Sequence, residues 1–89
     1  MKAYQLTIWG DVQGVSYRYF AKREAKSLGL TGFAKNEHDG SVKIFIQGPE
    51  EKLSDFLSWV DTGSPMATVK KVKREEVETD DNLKEFEVK

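Results

Sequence analysis

Two hydrophobic periods, one typical of strands and one of helices, alternate along this chain and limit the folds open to it. Segments with apolar residues at every second position, typical of strands with one buried face, occupy residues 2–9, 42–46 and 86–88. Residues 30–36 and 68–77 are also strand-like, the latter with Val69 as its apolar anchor. Segments with a helical stripe occupy residues 18–28 and 49–60. The clearest stripe places apolar side chains at i, i+3, i+4 and i+7, namely Leu53, Phe56, Leu57 and Val60.

The order of these segments predicts the fold class. Strand, helix, two strands joined by a turn at residues 37–40, helix and strand form a βαββαβ unit within 89 residues. That order is typical of an α+β protein of the ferredoxin-like, split βαβ kind. We therefore expect one domain, residues 1–89, with an antiparallel sheet and two helices on one face.

Composition limits the chemistry that such a domain can perform. The chain has no cysteine and one histidine, which excludes disulfides, thiolate nucleophiles and Cys or His metal sites, so any metal would have to be bound by oxygen ligands. Fifteen Asp and Glu against 14 Lys and Arg give a net charge of −1, which argues against nucleic-acid binding. The longest strongly apolar run has three residues, so we expect a cytoplasmic monomer without membrane contact.

The loop between the first strand and the first helix is the most informative segment. Two glycines, Gly10 and Gly14, bracket it, and Arg18 stands at its exit. Such a loop can point several main-chain N–H groups at one anion, and residues 1–45 carry a net charge of +3, with seven basic and four acidic residues. Spacing alone leaves a second interpretation open, that of an ordinary turn followed by an exposed arginine.

Three segments of the chain closely resemble the acylphosphatase family. Residues 10–18 read GDVQGVSYR, residues 32–42 read GFAKNEHDGSV and residues 63–69 read GSPMATV. The first two are similar to the two signature motifs of that family, in the family's order and separation. The resemblance extends over essentially the whole chain.

The resemblance implies a reaction and a set of residue roles. Arg18 would bind the phosphoryl group, the amides of a phosphate-binding loop would surround its oxygens, and Asn36 would orient the attacking water. The loop residues are Gln13, Gly14, Val15, Ser16 and Tyr17. The substrate would be a small acyl phosphate, hydrolysed to a carboxylate and inorganic phosphate. A carboxylate leaves as a stable anion near neutral pH, so neither a general acid nor a metal is needed.

Individual residues leave alternatives open. Asn36 precedes a hairpin turn, where asparagine commonly bonds to local backbone. His38 is expected to be an exposed hairpin residue. Asp11 and Ser16 depart from the family pattern. We expect Asp11 to point away from the site, whereas Ser16 either donates its hydroxyl to phosphate or lowers activity.

A different class of function also remains open at this point. The same fold carries non-catalytic modules that bind a phosphate ligand, and others that bind RNA on the sheet. Residues 32–34 mimic a fragment of an RNA-binding motif, with Phe45 on the next strand. Tight, salt-dependent RNA binding would favour this alternative.

Overall fold

The computed structural model describes residues 1–89 and contains five strands and two helices. The strands are β1 (Lys2–Asp11), β2 (Thr31–Asn36), β3 (Val42–Gly48), β4 (Thr68–Val77) and β5 (Phe86–Val88). The helices are α1 (Tyr17–Ser27) and α2 (Glu50–Thr62), each within two residues of the predicted bounds.

The sheet has the strand order β4-β1-β3-β2-β5. The predicted fold class is confirmed, and the β1/β3, β1/β4 and β2/β3 pairs are antiparallel as expected. The expectation of a wholly antiparallel sheet is wrong for β5, which pairs in parallel with β2. After β4, one outermost strand of the sheet, the chain crosses over to form β5, the outermost strand on the other side. The side chain of Gln47 stabilises this connection by two hydrogen bonds to the backbone of Asp80, at 2.8 and 2.7 Å.

One hydrophobic cluster joins both helices to the same face of the sheet. Leu6, Ile8 and Ile44 rise from the central strands, and the small Ala21 and Ala25 let α1 approach closely. The stripe predicted for α2 supplies the rest of the contact: Leu53, Phe56 and Val60 are buried and Leu57 is partly buried. The predicted placement of both helices on one face is confirmed.

Strand direction places the ends of β1, β2 and β5 and the start of α1 at one edge of the sheet. Strands β1 and β2 both pair antiparallel with β3, so they run in the same direction and end at the same edge. Helix α1 begins there, directly after β1, and the parallel β5 ends there beside β2. This edge therefore brings together residues 12–18, Asn36 and the segment ending at Lys89.

Candidate active site

The segment between β1 and α1, residues 12–16, is called the first loop below. Val12 is buried in the core cluster, whereas Gly14 and Ser16 adopt left-handed backbone conformations with φ angles of 75° and 61°. Glycine adopts such angles freely because it has no Cβ. Ser16 is the only residue other than glycine in the chain that has a positive φ angle. These angles turn the backbone sharply before the helix begins.

The main-chain N–H groups of the first loop are left without acceptors. No N–H of residues 13–18 donates to another main-chain group, and the first helical bond runs from Phe20 N–H to the Ser16 carbonyl, at 3.1 Å. The first N–H groups of any helix lack acceptors within the helix, and here the free run extends back to residue 13, which suits the segment to binding an anion. The partial positive charge of the helix end adds to the attraction.

A second loop, residues 37–41, supports the first and is called the hairpin loop below. The side-chain amide of Gln13 donates to the carbonyl oxygens of Glu37 and Ser41, at 2.8 and 2.9 Å. These two bonds join loops that lie 24 and 28 residues apart in sequence. Sequence reasoning assigned only the main-chain amide of Gln13 to the site and missed this side-chain role.

Two further hydrogen bonds fix the first loop to α2 and the segment after it. Ser64 Oγ donates to the Val15 carbonyl at 3.2 Å, and the buried Tyr17 hydroxyl donates to the Val60 carbonyl at 3.1 Å. Burial raises the pKa of Tyr17, which keeps the phenol neutral and able to donate. The loop is therefore attached at both ends, and the only sequence signal for this was the resemblance of residues 63–69.

Arg18 lines a pocket of about 360 Å³ at this edge, together with Gly14, Ser16, Tyr19 and Val88. No acidic side chain lines the pocket. One terminal nitrogen of the guanidinium, Nη1, donates to the main-chain oxygen of Lys89. The guanidinium has five N–H donors, and this contact leaves the others available to a ligand. Nothing in the sequence pattern predicted it, since the partners are 71 residues apart.

Asn36 ends β2 at the same edge and is exposed. Alternation along β2 places it on the side of the buried Gly32 and Ala34, which is the helix side of the sheet. It does not line the pocket around Arg18.

The turn that follows Asn36 is stabilised by another residue, Asp39, which accepts hydrogen bonds from the Ser41 hydroxyl at 2.6 Å and the Ser41 N–H at 2.9 Å. These bonds hold the pKa of Asp39 below its usual range. Asp39, rather than Asn36, is therefore the residue whose side chain stabilises the turn.

The two remaining residues singled out from the sequence lie outside this pocket. Asp11 is exposed at the end of β1, opposite Thr68, and His38 is exposed in the hairpin loop. No group of three or more His, Asp and Glu side chains is arranged to hold a metal ion. Neither helix is long and apolar enough to cross a bilayer.

The fold and this site define a class of protein: a small α+β domain with a loop of free main-chain N–H groups at the start of its first helix. Comparison with known proteins gives the family. The acylphosphatase family model matches residues 4–88. An acylphosphatase of Archaeoglobus fulgidus is 46% identical over 90 residues, covering 99% of this chain and 98% of its own. One of Thermotoga maritima is 45% identical over 89 residues, covering 100% and 98%.

Solved structures agree with the sequence relatives. The crystal structure of acylphosphatase from Bacillus subtilis superposes with a TM-score of 0.94 at 36% identity, covering 99% of this chain and 98% of that one. An acylphosphatase from Coxiella burnetii gives 0.93 at 32% identity, covering 99% and 92%. The chain belongs to the acylphosphatase family. It is accordingly an enzyme, a hydrolase whose family acts on acyl phosphates.

Proposed function

We propose that this chain hydrolyses the carboxyl–phosphate bond of small acyl phosphates at the pocket beside Arg18. The observation that carries the proposal is the run of free N–H groups over residues 13–18, next to Arg18, which makes no ion pair with an Asp or Glu side chain. In this proposal Arg18 and the amides of residues 13–17 bind the phosphoryl oxygens. Water attacks phosphorus, the bond to the carboxyl oxygen breaks, and a carboxylate and inorganic phosphate leave.

Fixed positive groups suit this reaction because charge spreads over the terminal phosphoryl oxygens in the transition state. The first loop is attached through Gln13, Ser64 and Tyr17, which supports donors that are already oriented before substrate binds. A donor that need not reorganise stabilises the transition state at no further cost. The carboxylate product needs no proton from the protein, so the scarcity of histidine is no obstacle.

Asn36 is proposed to orient the attacking water. An amide can donate and accept at once, which fixes a water in one orientation. Support comes from its position at the same edge as α1 and from the use of Asp39, rather than Asn36, in the turn.

We also propose that residues 1–89 act as one metal-independent, cofactor-free, monomeric domain in the cytoplasm. The exposed large apolar side chains are few, namely Met1, Tyr19, Met66 and Val88, and a surface of that kind does not require a partner subunit. An acyl phosphate is too highly charged to cross a bilayer unaided, which supports placing the enzyme in the compartment where its substrate is formed.

The RNA-binding alternative has one observation in its favour and one against it. Phe33 and Phe45 stack on the helix-free face of the sheet, with ring centroids 5.8 Å apart. Two of the lysines on that face are already paired, Lys43 with Glu37 and Lys73 with Glu75. The chain as a whole carries a net charge of −1, which argues against binding a phosphate backbone, and the proposal includes no nucleic-acid partner.

Phosphate release from benzoyl phosphate in the presence of EDTA tests the proposal. Arg18→Ala is expected to lower kcat/KM by about 1,000-fold and Asn36→Ala by about 100-fold, the range for loss of a preorganised transition-state contact. Arg23→Ala, at an exposed position of α1, is the matched control and should retain wild-type activity. Absence of turnover in the wild type contradicts hydrolysis, and phosphate binding without turnover would favour the non-catalytic sensor.

A further inference from the structure

Ser16 combines an unfavourable backbone conformation with a side chain that makes no capping hydrogen bond to its helix. Its φ and ψ angles, 61° and 21°, lie in the left-handed region, where the Cβ of an L-residue is crowded. Every other residue of the chain with a positive φ is glycine. A glycine at position 16 would adopt this conformation without strain.

The Ser16 side chain does not compensate for this strain by capping the helix. Serine at the N-cap of a helix usually accepts a hydrogen bond from a main-chain N–H of the first turn. Ser16 occupies the N-cap of α1, and its side chain makes no capping bond. The carbonyl of Ser16 accepts from Phe20 N–H, which glycine could do equally well.

Ser16 instead forms part of the wall of the pocket. Ser16 is exposed and lines the same cavity as Gly14 and Arg18. Backbone strain that local packing does not explain is concentrated at functional sites, where it holds a group in a required place.

We propose that the Ser16 hydroxyl donates a hydrogen bond to a terminal phosphoryl oxygen of the bound acyl phosphate. The inference rests on the proposed function and adds a side-chain donor to the main-chain donors of the first loop. A phosphoryl group has three terminal oxygens with more acceptor positions than one guanidinium can fill, so a neighbouring neutral donor has a place to bind. Ser16 is then a residue that contacts substrate as well as one that shapes the loop.

Two substitutions separate the hydroxyl from the backbone. Ser16→Ala removes the hydroxyl and keeps the left-handed strain, whereas Ser16→Gly removes both. Each is expected to lower kcat/KM for benzoyl phosphate about tenfold and to weaken binding of inorganic phosphate by a similar factor, the effect of one hydrogen bond to a charged group. Ser16→Gly should also raise Tm by about 4 °C, because the strain is relieved.

Each possible result has a defined meaning. Ser58→Ala, at an exposed serine of α2, is the matched control and should leave both measurements unchanged. Wild-type activity and phosphate affinity in Ser16→Gly would overturn the inference, even if Ser16→Ala is impaired, because full activity would then not require the hydroxyl. If the wild type binds phosphate without turnover, weaker binding in both variants still supports the hydroxyl contact while the proposed hydrolysis fails. Neither turnover nor phosphate binding in the wild type overturns both.

Discussion

The first loop and the hairpin loop lie at the same edge of the sheet and use their hydrogen-bonding groups in opposite ways. In the hairpin loop, Glu37 N–H donates to the Ser41 carbonyl, Gly40 N–H to the Glu37 carbonyl, and Ser41 N–H to the Asp39 carboxylate. In the first loop, none of the main-chain N–H groups has an acceptor within the backbone. A loop that satisfies itself can act as a support, and a loop that leaves its donors free is suited to hold an anion.

The contrast between the two loops also separates stability from activity. Bonds that close the hairpin loop stabilise the folded chain whether or not substrate is present. The free N–H groups of the first loop do not, and their geometry matters only when an anion binds. Substitutions in the two loops should therefore affect different measurements, even where their local geometry is the same.

Gly14 and Gly40 give the strongest test of this difference. Both have positive φ angles, 75° and 92°, and a Cβ would meet no atom within 4 Å at either position. Alanine should therefore cost a similar stability in each loop, about 1 kcal/mol, through backbone conformation alone. Gly14→Ala should also lower kcat/KM about 100-fold, because small displacements of oriented donors are costly, whereas Gly40→Ala should leave it near wild type. Equal activity losses would contradict the division of roles.

Gln13→Ala removes the connection between the loops and is expected to have the next largest effect. The carbonyls of Glu37 and Ser41 lose their side-chain donor, and Ser41 is buried, so the free energy of unfolding should fall by about 1–3 kcal/mol. The loss of kcat/KM should be about tenfold, since the first loop stays attached through Ser64 and Tyr17. Urea unfolding and steady-state kinetics measure the two effects. The control is Gln5→Ala, on the helix-free face of the sheet. If Gln13→Ala changes neither the free energy of unfolding nor kcat/KM, the two loops are independent.

Tyr17→Phe should weaken the attachment of the first loop to α2 with a smaller effect still. Loss of the bond to the Val60 carbonyl is expected to lower the free energy of unfolding by about 1 kcal/mol at neutral pH. Because burial raises the pKa of Tyr17, the unfolded chain releases this proton first as pH rises above about 10. The wild type therefore loses stability in alkali while Tyr17→Phe does not, and in urea titrations the two stabilities should converge and then cross as pH rises. A constant difference across that range would show that the phenol does not titrate in this way.

The sequence predicted most of the fold because hydrophobic period is a local property. The stripe of Leu53, Phe56 and Val60 and the alternation in β3 each lie within one element, so one segment is enough to recognise them. Strand β5 has only three residues, and so short a segment contains no signal for its direction or its neighbour.

The same reasoning explains which parts of the site were predictable. Arg18 and the first loop were singled out because glycines and an arginine stand close together in the sequence, and the resemblance to the acylphosphatase family suggested their roles. The contacts of Gln13 with the hairpin loop and of Arg18 with Lys89 join residues far apart in the chain, and only the assembled sheet brings them together. The resemblance marked residues 63–69, but the bond from Ser64 to the Val15 carbonyl joins two loops that only the fold brings together.

The smallest expected effect concerns Asp39, which stabilises the hairpin loop by accepting from Ser41. The Ser41 hydroxyl and N–H lower the pKa of this carboxyl, with a smaller contribution from the Trp9 indole N–H at 3.4 Å. A lowered folded-state pKa means that the contribution to stability is present above the unfolded value, about 3.9, and is lost as pH falls through the folded value. Asp39→Asn should therefore lower Tm at neutral pH, and the difference from wild type should vanish in acid. Asp55→Asn, at an exposed position of α2, controls for the loss of one charge. If Asp39→Asn instead lowered kcat/KM at neutral pH as much as Gln13→Ala, the hairpin loop would contribute to catalysis itself, and its difference from the first loop would be one of degree.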